Sequence, residues 1–165
     1  AKIKDANPDV LFIPWNYQKV ANIAKQAKAL GINCQFIGGD GWDSPKFVEI
    51  AGASSLNNTY FTNHYSPDST NEASKAFVDT YAKTYKQKPD APAVLGYDGA
   101  MLLADSIKRA GVYESAKVAE ALAATKDFQA VTGKTSLDAS HDAVKSAVIV
   151  GFKDGKQVYR ATLNP

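Results

Sequence analysis

The stretch Phe36-Ile37-Gly38-Gly39-Asp40-Gly41-Trp42-Asp43 carries most of the fold information in this chain. The short apolar run from Gln35 to Ile37 has the length of a buried strand. It stops at Gly38-Gly39, and a carboxylate follows at once. Ser44-Pro45 then opens a helix. In open α/β sheets, ligands sit beyond the carboxyl ends of the strands, and Asp40 stands at such an end. The flanking glycines let backbone approach closely. Trp42 offers a pocket a flat apolar wall with one N–H donor. The plainer alternative is a Gly-Asp-Gly turn whose carboxylate faces water.

Upstream, Val10-Leu11-Phe12-Ile13 is a continuous apolar run, as expected in a parallel sheet covered on both faces. Pro14 stops it, and Asn16 is placed to cap the next helix. Val20, Ile23, Ala24, Ala27 and Leu30 make an i, i+3, i+4, i+7 stripe, and Gly31 ends the helix. Residues 10 to 38 therefore predict a β-α-β unit with a right-handed crossover. Ahead of it, Ala1 to Asn7 reads as the tail of a helix.

Downstream, a short helix is predicted from Pro45 to Ala51, and a β-branched, aromatic strand at Thr59 to Thr62. Asn63 to Thr70 is a polar loop. A helix follows from Asn71 to Lys86, with Phe77, Tyr81 and Tyr85 along one side. Pro89 to Pro92 is a break. The helix from Ala93 to Ala110 is apolar on most sides, so burial is expected. Ser115 is placed to cap a helix to about Thr125. Phe128 to Val131 and Thr135 to Leu137 are short strand candidates. Lys145 to Phe152 and Gln157 to Leu163 are stronger ones, joined by an Asp154-Gly155 hairpin signal.

The totals are those of an ordinary globular chain: 165 residues, 45% hydrophobic, 22% charged, formal charge +2. That length suits one domain or two small lobes. The lysines are scattered, so no basic stripe argues for nucleic acid. No apolar run approaches the roughly 18 residues of a membrane span. Cys34 is the single cysteine and is expected to be a buried, inert thiol.

Catalytic and metal signatures are sparse. No Gly-x-Ser-x-Gly elbow occurs, and neither His64 nor His141 has an evident partner in the sequence. The glycines around Asp40 match neither a P-loop nor a dinucleotide fingerprint, so no cofactor is implied. Asp40 and Asp43 are too few for a calcium site. A polar binding site fits better. Strands about 4.8 Å apart bring Tyr17 and Asp40 to one edge, where a phenol and a carboxylate can converge on a primary ammonium. Tyr97 and Asp98 lie near the start of the apolar helix. Core packing is the alternative for Tyr97, and a favourable charge near a helix N-terminus is the alternative for Asp98.

At Pro8-Asp9-Val10, Gln26 to Gly31, Gly38 to Trp42, Tyr60 to Ser66, Gly96-Tyr97-Asp98 and Lys108 to Gly111, the chain resembles the type I periplasmic binding proteins. The nearest group is the branched-chain amino acid type that serves ABC transporters. The resemblance covers all 165 residues but matches the later half of a typical member. It implies an α/β fold of Rossmann-like parallel sheet layers, incomplete without the N-terminal half. It assigns residues 1–63 to the second lobe, 64–130 to a helical part of the first, and 131–165 to a hinge strand and a hairpin returning to the second.

The resemblance implies binding without chemical conversion, and no enzyme. The acidic residue matching Asp40 takes the ligand's α-ammonium, an aromatic matching Tyr17 assists, and one at or near Tyr97 closes the pocket. Trp42 flanks the acidic residue. The family's small or aromatic residues before Tyr17 are replaced here by Trp15-Asn16, which makes those two candidates for shaping the side-chain pocket. Expected partners are a small neutral or branched-chain amino acid, an ABC transporter permease, and a complementary N-terminal half or second copy of the chain. The expected location is periplasmic or extracellular, with a lipid anchor on the precursor if Gram-positive. The competing reading is a regulatory or structural module that binds a protein partner. A flavodoxin-like hydrolase built on Asp40 is a third, and no base or metal set accompanies it.

Overall fold

The computed structural model describes residues 2–66, 68 and 71–165. Part of the expected 63–70 loop, with Pro67, Ser69 and Thr70, lies outside the described residues, as does Ala1. The chain divides into two compact units. Unit 1 holds residues 1–68 and 148–161, and unit 2 holds residues 69–147 and 162–165. Residues 131–147 thus pack within unit 2, whereas the sequence reading grouped them with the returning tail.

Unit 1 runs α1 (Lys2–Ala6), β1 (Val10–Phe12), α2 (Tyr17–Ala29), β2 (Gln35–Gly38), α3 (Pro45–Ala51) and β3 (Thr59–Asn63). It is completed by β7 (Ala147–Lys153) and β8 (Lys156–Leu163), which cross into unit 2 only at their outer ends. The sheet order is β1-β2-β3-β7-β8. β1, β2 and β3 are parallel, with Phe12 opposite Ile37 and Gly38 opposite Phe61. β7 runs antiparallel to β3, with Asn63 opposite Val148. Asp154 and Gly155 both adopt positive φ, 51° and 75°, in the two-residue turn before β8. That is the backbone an Asp-Gly hairpin uses.

The expected stripe of α2 is realised at Val20, Ala24 and Ala27, which are buried in the core with Ala21, while Ile23 is half-buried and Leu30, at the C-cap, is exposed. Gly31 follows with φ 70°, a left-handed conformation that glycine adopts without steric cost. Asn16 stands at the N-cap, but its side chain makes no capping bond. Ser44 does cap α3, accepting from the backbone N–H of Lys46. An aromatic chain runs through the same core. Trp42 and Phe47 have ring centroids 5.5 Å apart, Phe47 and Phe152 5.4 Å, and Phe61 and Phe152 5.8 Å.

Unit 2 contains α4 (Glu72–Tyr85), α5 (Ala91–Ala110), α6 (Ser115–Ala123), β4 (Phe128–Ala130), β5 (Gly133–Leu137) and β6 (Ala143–Lys145). The three strands form an antiparallel sheet in that order. The strand expected from Lys145 to Phe152 is broken at Ser146: Lys145 closes β6 in the three-stranded sheet, and β7 joins the five-stranded one.

Three other expectations change. Pro92 lies in the first turn of α5 rather than in a break, because a helix's first N–H groups need no partner and Asp90 caps that turn. Glu114, not Ser115, holds the N-cap of α6, without a side-chain bond. α5 is not buried on most sides: Tyr97, Met101 and Leu103 are exposed, and its buried residues are Ala91, Val94, Asp98 and Ser106.

The aromatic chain of unit 1 yields the first prediction. Phe47 is wholly buried and touches both Trp42 and Phe152. Phe47→Ala should destabilise unit 1 by roughly 3–5 kcal/mol through lost contacts and a cavity. Urea unfolding followed by tryptophan fluorescence measures this, and a midpoint equal to wild type would remove the cluster from its central role.

Candidate functional site

Three strand ends build one edge of unit 1. Because β1, β2 and β3 are parallel, the chain leaves all three on the same side. The Ile13 N–H donates to the Ile37 carbonyl at 2.9 Å, extending the pairing one residue past β1. From this edge β1 releases Trp15, Asn16 and Tyr17, β2 releases Gly39 to Asp43, and β3 releases His64 and Tyr65.

The two carboxylates of the Asp40–Asp43 turn have different roles. Asp43 is built into the frame. Its Oδ2 accepts from Asn63 Nδ2 at 3.1 Å and its Oδ1 from Gln157 Nε2 at 2.8 Å. These bonds tie the turn to β3 and β8. Asp40 points outward, its side chain 61% exposed, with Oδ2 3.1 Å from Nε2 of His64. His64 is 38% exposed. Its backbone N–H donates to Asn63 Oδ1 at 2.8 Å. One asparagine therefore fixes both Asp43 and the start of the histidine loop.

Glycine sets how closely these loops approach. A β-carbon on Gly41 would lie 2.6 Å from Asn16 Oδ1. So Asn16, read as a helix cap, instead covers the Asp40 turn from the β1 side. A β-carbon on Gly38 would fall 2.1 Å from the Trp42 ring. Trp42 is thus turned back over the strand end. It is fully buried, and its Nε1 has no hydrogen-bond partner among the described residues. The expectation that Trp42 walls a pocket is corrected: with β2 ending in glycine, the indole reaches the aromatic core, where burial gains more than exposure at the edge. Tyr17 is half-buried and packs against the same core, while Trp15 is exposed. Cys34, expected to be buried, is only half-buried.

Tyr97 and Asp98 belong to unit 2. Tyr97 lies exposed on α5 with its ring 4.8 Å from Phe77. Phe77, Tyr81, Tyr97, Met101 and Phe128 line an open groove of about 710 Å³. Asp98 is buried, and it sits beyond the first turn of α5. It serves as a clamp rather than a charge at a helix N-terminus. Its carboxylate accepts from the Val131 N–H at 2.7 Å, the Thr132 N–H at 3.0 Å and the Thr132 hydroxyl at 2.7 Å. Lys145 Nζ donates to the same Thr132 hydroxyl. Burial pushes the Lys145 ammonium below its ordinary value, and the Asp98 charge pulls it partly back.

Sequence reasoning missed His64 and Asn63 as site residues. The available signal was topological: a parallel β3 delivers whatever follows it to the edge where Asp40 stands. No group of three or more His, Cys, Asp or Glu side chains able to hold a metal ion occurs among the described residues.

Comparison with known proteins adds to this geometry. A family model described as periplasmic binding protein matches residues 1–157. A leucine-binding protein of Thermotoga maritima has a solved structure similar to this chain, with 36% identity and a TM-score of 0.92. That match covers 99% of this chain and 47% of the other. The branched-chain amino acid substrate-binding protein of Streptococcus pneumoniae, solved with isoleucine, is 36% identical with a TM-score of 0.83. Here the match covers 93% of this chain and 43% of the other. A Leu/Ile/Val-binding protein homolog of Brucella abortus is 28% identical over 96% of this chain and 43% of its own length. The chain thus spans less than half the length of these relatives.

The Asp98 clamp generates two predictions. Asp98→Ala leaves two backbone donors and the Thr132 hydroxyl without their acceptor, and the half-buried Lys145 ammonium without its neighbouring countercharge, so unit 2 should lose about 3 kcal/mol in urea unfolding. Lys145 holds its proton less tightly when folded than when unfolded. The unfolded state then binds more protons just below 10.5, so stability rises with pH in that window. The stability of wild type relative to Lys145→Met should therefore increase as pH approaches 10.5; an unchanged difference would contradict the burial cost.

Proposed function

The chain belongs to the type I periplasmic binding protein family, in its branched-chain amino acid group, and on that footing we propose that it captures a small neutral amino acid without chemical change. The delivery target is an ABC transporter permease, in the periplasm or at the outer cell surface. The observation that carries this reading is the division between two neighbouring carboxylates. Asp43 is occupied in holding the turn, and Asp40 is presented outward at the carboxyl edge of three parallel strands.

A carboxylate in that position selects a cation. Hydrogen bonds between an ammonium and a carboxylate are roughly twice as strong as neutral ones, and more so in a partly dry cleft. The α-ammonium of an amino acid matches this acceptor. The exposed Trp15 and the half-buried Tyr17 leave the chain from the same strand edge and offer apolar and phenolic surface there. That favours leucine-like side chains over acidic or basic ones. The relatives' names support the same ligand class, since two refer to leucine or Leu/Ile/Val and one was solved with isoleucine.

The open apolar groove of unit 2 supports one more partner, a complementary segment of the full-length protein. Relatives more than twice as long as this chain contain enough further sequence to cover it.

Removing the Asp40 charge tests the reading. In the full-length protein, Asp40→Ala should weaken leucine binding by roughly 2–5 kcal/mol in calorimetry. The des-amino analogue of leucine should fail to bind wild type, because Asp40 would be covered without a partner. Equal leucine affinity in wild type and mutant, or tight binding of the des-amino acid, would refute the assignment.

A further inference from the structure

We propose that His64 is a positioning residue that makes ligand capture at Asp40 dependent on pH, strong near neutrality and weak in mild acid. This rests on Asp40 being the ammonium acceptor. The geometry is direct: the imidazole Nε2 lies 3.1 Å from Asp40 Oδ2, with both side chains partly open to solvent. Neither group is needed for the aromatic core beneath them, which is formed by Trp42, Phe47, Phe61 and Phe152. Histidine is also the side chain that changes charge between about pH 5 and 8.

The groups around His64 define the sign. From the β2 turn come Asp40 and Asp43. Asp43 is already engaged by Asn63 and Gln157, so Asp40 is the carboxylate in contact with the ring. β7, which flanks β3, places Val148 and Ile149 opposite Asn63 and Thr62, without charge. Tyr17 opens α2, which packs against the Asp40 turn. Tyr65, next along the loop, is buried.

A neutral imidazole with its proton on Nε2 donates to Oδ2. A carboxylate accepts about four hydrogen bonds, so the remaining lone pairs stay directed at an incoming ammonium. The histidine then fixes the carboxylate's orientation while leaving its charge uncompensated. A protonated imidazole changes this. The pair becomes neutral overall, and the ligand's ammonium must approach a cation already held on the same carboxylate. Ligand binding and His64 protonation therefore oppose each other. Linkage makes the effect reciprocal: binding expels the proton, and the proton weakens binding.

The experiment is calorimetric titration of the full-length protein with leucine at pH 8 and pH 5.5. Leucine's own groups do not change charge between these values. Wild type should lose about tenfold in affinity at the lower pH. His64→Gln, which keeps a neutral donor but cannot become a cation, should give a flat profile. His141→Gln should retain the wild-type profile, because His141 lies in the separate Asp138–Asp142 turn of unit 2. A wild-type affinity equal at both pH values overturns the proposal, as does a folded His64→Gln protein whose profile superimposes on wild type. If His64→Gln fails to fold, heat release in two buffers of different ionisation enthalpy decides. At mildly acidic pH, wild type should release a proton on binding leucine, and no release overturns the proposal. Asp40→Ala separates this question from the preceding one. If it binds leucine as wild type does, the acceptor assignment fails. If it loses leucine while wild type shows no pH dependence, only the role of His64 fails.

Discussion

No β-carbon fits on Gly38, because the indole of Trp42 occupies its place. Much of unit 1 depends on that exclusion. The strand must end in glycine so that the chain can turn back and set Trp42 against Phe47 and Phe61. Burying a side chain of that size contributes several kcal/mol from apolar area alone. It also fixes the direction of the turn. With Trp42 turned inward, the residue two positions earlier, Asp40, is directed away from the core and toward solvent. The exposed carboxylate is thus a consequence of the buried aromatic. The cost is visible at Trp42 Nε1, which is buried without a hydrogen-bond partner among the described residues.

The turn is then held from three directions. Asn63 on β3 and Gln157 on β8 donate into Asp43, and Asn16 covers Gly41. The strands involved are far apart in sequence and are brought together by the sheet order. A binding carboxylate has to keep its position before the ligand arrives, since ordering a mobile loop would subtract from affinity. Here the rigid anchor and the exposed carboxylate are separate residues three positions apart. This is why substitution at Asp43 and substitution at Asp40 are different experiments: one disturbs the frame, the other removes the carboxylate proposed as the ammonium's acceptor.

How much of this was legible in the sequence varies with the range of the interactions. The α2 stripe as far as Ala27, the β-α-β unit, the Asp154-Gly155 hairpin and the place of Asp40 beyond a strand end follow from local pattern, and the structure contains each of them. Trp42 was misread because an aromatic after Gly-Asp-Gly has no local mark of which way it faces. Its burial depends on Phe61 and Phe152, the latter more than a hundred residues away. His64 was missed for the same reason, since its partner Asp40 lies beyond the end of a different strand. Asn16 fits a helix-capping pattern, and nothing local reveals that its side chain is used against Gly41. The break at Ser146, where one apolar stretch serves two sheets, is equally invisible to periodicity.

Unit 2 is held by a different kind of interaction. Among the described residues, the largest wholly buried side chains lie mostly in unit 1, and those in unit 2 are Val94 and Ser106. Polar cross-links take their place. Asp98 fixes Val131 and Thr132, Ser74 donates to the Val131 carbonyl at 2.6 Å, and Arg109 joins Asp105, Ser106, Ala121 and Thr125. Such bonds specify geometry well but stabilise modestly on balance, because each replaces a bond to water. The apolar residues that would ordinarily add the missing stabilisation, Phe77, Tyr81, Tyr97 and Met101, line the open groove instead. α5 was expected to be buried because its sequence is apolar on most sides. Within the described residues, the side facing α6 and β4 is packed, and Tyr97, Met101 and Leu103 remain in contact with solvent. The helix thus carries more apolar surface than unit 2 itself covers. Any surface that covers the groove would add apolar burial at the helix whose Asp98 already fixes the Val131–Thr132 segment, so coverage there and rigidity of that segment are physically coupled.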